Sequence, residues 1–282
     1  MNAIEVRHLH KSFEGFSLHD ISFSVPEGTI MGFIGENGAG KSTTIKCILN
    51  LLKKDYGEIL LFGKDIVEHE ISIKNDIGVV FDDLYVPETL NATQLDKIMK
   101  KVFKTWDSDY YFERLAQFKV PAYKKVKTLS RGMRMKLSIA LALAHHPKLL
   151  LLDEPTSGLD PIVRDEILDL LLAYMEDETH SILLSSHMTS DLEKIADYIT
   201  FIHDGEIVWS ESKDVLLYEY GIFNGTQEEV NELPEQAIIR KRAGAFGIDV
   251  LVQKHAVNPV FALKKPTIED IMIFFVKGEV SR

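Results

Sequence analysis

Gly35-Glu36-Asn37-Gly38-Ala39-Gly40-Lys41-Ser42-Thr43 is the stretch on which the rest of the chain is read. Two glycines, a lysine and a hydroxyl stand at the spacing of a phosphate-binding loop. The apolar run Ile30-Met31-Gly32-Phe33-Ile34 before it reads as a buried strand. Thr43 to Leu52 after it reads as a helix with Ile45, Ile48, Leu49 and Leu52 on its apolar side. Glycines let such a loop wrap until consecutive backbone N–H groups face one centre, and the helix adds its positive end there. Gly35, Asn37, Gly38, Ala39, Gly40, Lys41, Ser42 and Thr43 are therefore the expected nucleotide-binding residues. Lys41 would reach the β- and γ-phosphates, and Ser42 would offer its hydroxyl to Mg²⁺. The order strand, loop, helix separates this loop from an ordinary glycine-rich turn.

Composition narrows the class. The 282 residues suffice for one large domain, or one with a smaller appendage. A formal net charge of −11 leaves no excess of lysine and arginine for neutralising a nucleic-acid backbone, so no nucleic-acid partner is expected. Cys47 is the single cysteine, so no internal disulfide can form, which suits a reducing cytosol. Its place on the helix behind the loop marks it as a small packed residue rather than a reactive thiol. No run of about 18 apolar residues occurs, and Met1-Asn2-Ala3-Ile4-Glu5 lacks the basic start and apolar core of a signal peptide. The expectation is a chain that neither spans a membrane nor is secreted.

Along the chain, Ile4-Glu5-Val6-Arg7 and Leu18 to Val25 alternate as antiparallel strands do. From Ile30 the pattern changes to strand, loop and helix units. Leu149-Leu150-Leu151-Leu152 reads as a parallel strand covered on both faces, and Ser181 to Ser186 as the next. Between them a helix opens with Asp160 as N-cap and Pro161 at its first position. Leu95 to Phe103 and Tyr110 to Phe118 suggest a helical insertion, about residues 84–145. After about Ser210 the texture changes again. Ile248 to Gln253 reads as a strand, and Thr267-Ile268-Glu269-Asp270 opens a final amphipathic helix with a capping box. The expected division is 1–210 for the main domain and 211–282 for a small accessory one.

Further chemistry lies downstream of the loop. Asp153, at the end of the leucine strand, can hold Mg²⁺ opposite the phosphates, and the adjacent Glu154 can orient or deprotonate an attacking water. Leu129-Ser130-Arg131-Gly132-Met133 stands just ahead of a helix read as Arg134 to His145, where a serine and a glycine make an anion site. At this point the chain clearly resembles the ATP-binding-cassette family, over roughly residues 3 to 210. The resemblance implies an α/β fold: a P-loop NTPase with an antiparallel β subdomain, a helical subdomain and here a small C-terminal α+β appendage. It implies that residues 129–133 are the signature motif, usually Leu-Ser-Gly-Gly-Gln, presenting Ser130 and Gly132 to the γ-phosphate bound on a second subunit. Arg131 and Met133 depart from that pattern.

Ser157-Gly158-Leu159-Asp160 matches the family's D-loop, and His187 its switch histidine, which contacts the γ-phosphate and steadies the catalytic glutamate. Phe13 stands where the family places an aromatic that stacks on adenine, with Phe16 a nearby competitor. Asp82 replaces the usual Mg²⁺-coordinating glutamine; its oxygen can bind the metal, but while ionised it cannot donate a hydrogen bond.

The resemblance implies an ATPase that works in pairs, homodimeric or mixed, with Lys41, Glu154 and His187 as catalytic residues and ATP and Mg²⁺ as cofactors. A separate transmembrane permease would dock near Tyr85 to Trp106 and hold the subunit on the cytoplasmic side of the cell membrane. The tail resembles that of bacterial exporter ATPases for drugs, antimicrobial peptides or related amphipathic compounds. The alternative is a cytosolic member that remodels ribosomes or DNA. A single phosphate loop, the short interval from Ser42 to Leu129 and the acidic balance weigh against it.

Overall fold

The computed structural model describes residues 1–244 and 247–279. A period-two division of side chains explains its layers. In the strand Ile30–Ile34, Met31 and Phe33 join one apolar cluster while Ile30 and Ile34 join another. Leu149 and Leu151 divide from Leu150 and Leu152 in the same way in Leu149–Asp153. A continuous apolar run is what a strand needs when both of its faces are covered.

These strands lie in a six-stranded sheet in the order Glu206–Ser212, Tyr198–His203, Ile30–Ile34, Ser181–Ser186, Leu149–Asp153, Ile77–Val80. Its neighbours are parallel except for the edge pair Tyr198–His203 and Glu206–Ser212. On one face the helix Lys41–Ile48 is sandwiched between this sheet and an antiparallel one built on Asn2–Phe13, Phe16–Pro26 and Tyr56–Leu61. Cys47 is buried here, and burial pushes its thiol up to about 11, as befits a packing residue. The other face is covered by the helices Arg131–Leu143, Pro161–Tyr174 and Thr189–Ile195. Because the five parallel strands run the same way, Ile34, Val80, Asp153 and Ser186 end at one edge, where open α/β sheets bind ligands.

The helical insertion has its own core, with Leu95, Trp106, Tyr111, Leu115, Leu137 and Leu141 buried together. Its helices Ala92–Val102 and Ser108–Gln117 are capped by Asn91 and Asp107. Trp106 and Ser108 both donate to the buried Asp96, which ties the two helices together. Toward the C-terminus, Tyr220–Gly225, Gly247–Gln253 and Ile238–Gly244 form an antiparallel sheet over a separate cluster that includes Phe223, Val230 and Val250. The final helix Ile268–Lys277, capped by Thr267 and Asp270, behaves differently. Its buried Ile268, Ile271 and Phe274 pack with Leu184, Leu192 and Phe201 of the main sheet layer.

Two helix boundaries differ from expectation. The helix after the phosphate loop stops at Ile48 rather than Leu52, because Asn50 adopts a left-handed backbone with φ 54° and Leu51 N–H turns back to the Lys46 carbonyl. The helix expected from Arg134 begins at Arg131, because Ser130 caps it by accepting from Met133 N–H. Among the described residues, no helix is long and apolar enough to cross a membrane.

Candidate phosphate-binding site

Residues 35–43 fold as the spacing requires, and steric crowding explains two of the glycines. A side chain at Gly35 would place its Cβ 2.4 Å from the Ile202 carbonyl oxygen. Gly40, the N-cap of Lys41–Ile48, has φ 116°, and a Cβ there would meet Leu18 at 2.6 Å. Lys41 is consequently drawn inward. It is only 6% exposed, its Nζ donates to the Gly35 carbonyl at 2.7 Å, and it lies 3.3 Å from Glu154 Oε1. A buried ammonium held by carbonyls and a carboxylate is positioned before any ligand arrives.

Glu154 is the junction of the site. It sits just past the strand Leu149–Asp153 with φ 54°, a left-handed conformation that costs a non-glycine residue about 1–2 kcal/mol. Ser185 holds it there: Glu154 N–H is shared between the Ser185 carbonyl and hydroxyl, both at 3.1 Å. Turned this way, Glu154 sends Oε2 to His187 Nδ1 at 2.7 Å while Oε1 faces Lys41. With a carboxylate as acceptor, Nδ1 carries the ring proton and Nε2 remains for a ligand. Asp153 points elsewhere. It is buried, and its Oδ1 accepts the Ser185 hydroxyl at 2.6 Å.

A second network braces the segments behind these residues. Asp191, 1% exposed, accepts the Thr156 hydroxyl at 2.7 Å and pairs with Arg164, whose Nη2 also donates to Ser190 at 2.6 Å. The segment after Glu154, the helix after Asp160 and the helix after His187 are thereby tied together. Spacing alone could have pointed to Asp191, one helical turn beyond His187, but its partners lie on other elements.

A cavity of about 580 Å³ opens beside the loop, lined by Phe16, Asn37, Gly38, Lys41 to Thr43, Asp82, Glu154 and His187, together with Arg131 and Ser157. Phe16 lines it, whereas Phe13 is 43% exposed and does not, although the two face each other across a tight hairpin. Ser130 and Gly132 lie at the head of Arg131–Leu143 and are not part of the wall. Arg131 is the wall residue that motif reading left without a role. For a divalent cation the donors on the cavity wall are oxygens, the Ser42 hydroxyl and Asp82; Asp153, expected as a metal ligand, is buried on Ser185 and is not among the wall residues. No group of three or more His, Cys, Asp or Glu that could hold a metal occurs among the described residues. Such a sparse set of oxygens fits Mg²⁺, which keeps waters and takes further ligands from phosphate.

Comparison with known proteins identifies the family. Residues 18–157 match the model of the family described as ABC transporter. The ABC transporter ATP-binding protein YtrB of Bacillus subtilis is 33% identical over 218 residues, which are 77% of this chain and 74% of YtrB. The chain belongs to the ABC transporter family. The bacitracin transport ATP-binding protein BcrA of Bacillus licheniformis is 34% identical over 68% of this chain and 63% of its own length. A solved ATP-binding subunit of an ABC transporter superposes with a TM-score of 0.67 at 26% identity, covering 76% of this chain and 91% of that one. The fold is thus the P-loop fold of ABC ATPases, and the chain is an ATP-binding ATPase subunit of an ABC transporter.

Proposed function

We propose that this ABC ATPase binds Mg²⁺–ATP in the cavity beside residues 35–43 and hydrolyses it as one half of a closed pair, powering export by a separate membrane permease. The arrangement of Glu154 between Lys41 and His187 carries this reading. Lys41 neutralises the β- and γ-phosphates, and the N–H groups from Asn37 to Thr43 orient them. The Glu154 carboxylate takes a proton from the attacking water, whose oxygen bonds to the γ-phosphorus as the bond to the β-phosphate oxygen breaks. His187 steadies Glu154 through Nδ1 and turns Nε2 toward the γ-phosphate. Ser42 and Asp153, with Asp82, would hold Mg²⁺, which would supply charge neutralisation at the phosphates. Phe13 or Phe16 stacks on adenine, and their adjoining positions make the paired variants F13A and F16A the deciding comparison.

Ser130 and Gly132 complete the site of a second copy or similar subunit. They stand at the head of a thirteen-residue helix whose first N–H groups favour an anion. ATP then joins two surfaces, and loss of the γ-phosphate releases them. The permease docks at a cavity of about 310 Å³ lined by Leu49, Leu51, Val79, Phe81, Met99 and Phe103. Leu51 is 55% exposed at its edge, and Tyr85 lies edge-on to Phe81 beside it. An amphipathic helix on the cytoplasmic face of the permease suits such a groove. The similarity to a bacitracin transport protein supports an amphipathic, drug- or peptide-like cargo and favours transport over ribosome or DNA remodelling. Residues 211–282 serve as an accessory unit only in part: the apolar cluster around Phe223 and Val250 is its own, whereas Glu206–Ser212 crosses the expected boundary within the main sheet and the final helix packs on the main sheet layer.

The test is Glu154→Gln. This variant is expected to keep ATP affinity, to lose turnover by about 10²–10⁴-fold, the usual worth of a general base, and to sediment as a dimer with ATP. Turnover like that of the wild type would remove Glu154 from the role.

A further inference from the structure

The signature segment carries an arginine where a glycine is usual, and the side chain has an unusual position. Arg131 is the first residue of the helix Arg131–Leu143 and is exposed. Its guanidinium lies against the turn at Gly158, where an added Cβ would stand 2.9 Å from Nη1 and 3.0 Å from Cζ. From there it lines the cavity that holds Lys41, Ser42, Glu154 and His187 of the same chain.

Its charge is also uncommitted. Cations on the same helix and on its neighbour are paired: Arg134 with Glu88, Lys136 with Glu166, and Arg164 with Asp191. Arg131 makes no ion pair or side-chain hydrogen bond among the described residues, although Asp82 lines the same cavity. Lys41, by contrast, already faces two carbonyls and Glu154. A planar guanidinium with unspent donors, beside a phosphate cradle, matches the geometry of a terminal phosphate.

We propose that Arg131 is a nucleotide-binding residue of its own chain, contacting the terminal phosphate of a nucleoside triphosphate held by residues 35–43 and so favouring triphosphate over diphosphate. This rests on the nucleotide reading given above but differs from the role of Ser130 and Gly132, which act on the nucleotide of a second copy. One segment then serves two sites: its serine and glycine across the pair, its arginine within the chain.

The experiment measures binding at protein concentrations where sedimentation shows a monomer. Wild type, Arg131→Ala and Arg131→Lys are each titrated with ATP and with ADP. The Ala variant is expected to lose about tenfold in ATP affinity, consistent with one charge-assisted hydrogen bond, while ADP affinity changes by less than about twofold. The Lys variant should recover part of the ATP affinity. Unchanged ATP affinity in monomeric Arg131→Ala, with loss only of pairing or turnover, overturns the proposal and assigns Arg131 to the partner's nucleotide. Equal losses for ATP and ADP overturn it too, because the terminal phosphate would then play no part. Wild-type protein that binds neither nucleotide would sink the nucleotide reading itself, an outcome distinct from both.

Discussion

The phosphate loop and the signature segment each stand at a helix N-terminus, yet they are built to opposite standards. Around the loop the two functional charges are committed: Lys41 is buried on carbonyls and Glu154, and Glu154 is pinned by Ser185 and His187. Around the signature, Ser130, Arg131 and Met133 are exposed, and Ser130 does no more than cap its own helix. One half is finished by the chain's own packing. The other is finished only when something else arrives. The difference teaches that pre-organisation here is spent on the buried charges beside the loop, while the signature segment stays solvated.

Predictions follow the depth of commitment. Lys41→Ala should have the largest effect, because it removes a buried ammonium from the proposed phosphate site. ATP affinity and turnover are expected to fall by at least about 10²–10³-fold, the range for losing one pre-organised donor, as read by nucleotide titration and phosphate release. Preserved affinity would break the comparison, because the loop would then not depend on its most committed residue. Ser130→Ala should split the two halves. Turnover and ATP-driven pairing fall about tenfold, whereas monomer affinity for ATP stays within about twofold, because on the proposed reading the residue serves another copy's ligand. A matching loss of monomer affinity would show that the signature acts within the chain. Leu51→Asp should have the mildest effect on the isolated subunit. Its ATPase rate and melting temperature are expected to remain near wild type, as usual for exposed positions, while co-purification with the permease is lost. Retained co-purification would move the docking surface away from the groove.

Much of this was legible because the signals are local. The strand Ile30–Ile34, the loop, the strand ending at Asp153, the cap at Asp160 and the capping box at Thr267 all rest on residues close together in the chain, and each forms as read. Local reading failed where a neighbour or a backbone twist intervened. The helix after the loop ends early because Asn50 turns left-handed, and the signature helix begins early because Ser130 caps it. The choice between Phe13 and Phe16 could not be made from spacing, because both flank one hairpin turn. Only the packing of the hairpin put Phe16 on the cavity wall.

The order of residues by itself determined which groups could handle phosphate: glycines and a lysine at fixed spacing, an acid pair ending an apolar strand, a histidine ending the next. Those are properties of chain geometry over a few residues, and any fold that accepts them inherits the chemistry. Tertiary structure alone decided that Glu154 stands between Lys41 and His187, that Asp191 braces three segments, and that Arg131 reaches the wall of its own chain's cavity. These contacts join residues far apart in sequence. Their geometry depends on how parallel strands end at one edge and how helices pack over them, which no local pattern encodes.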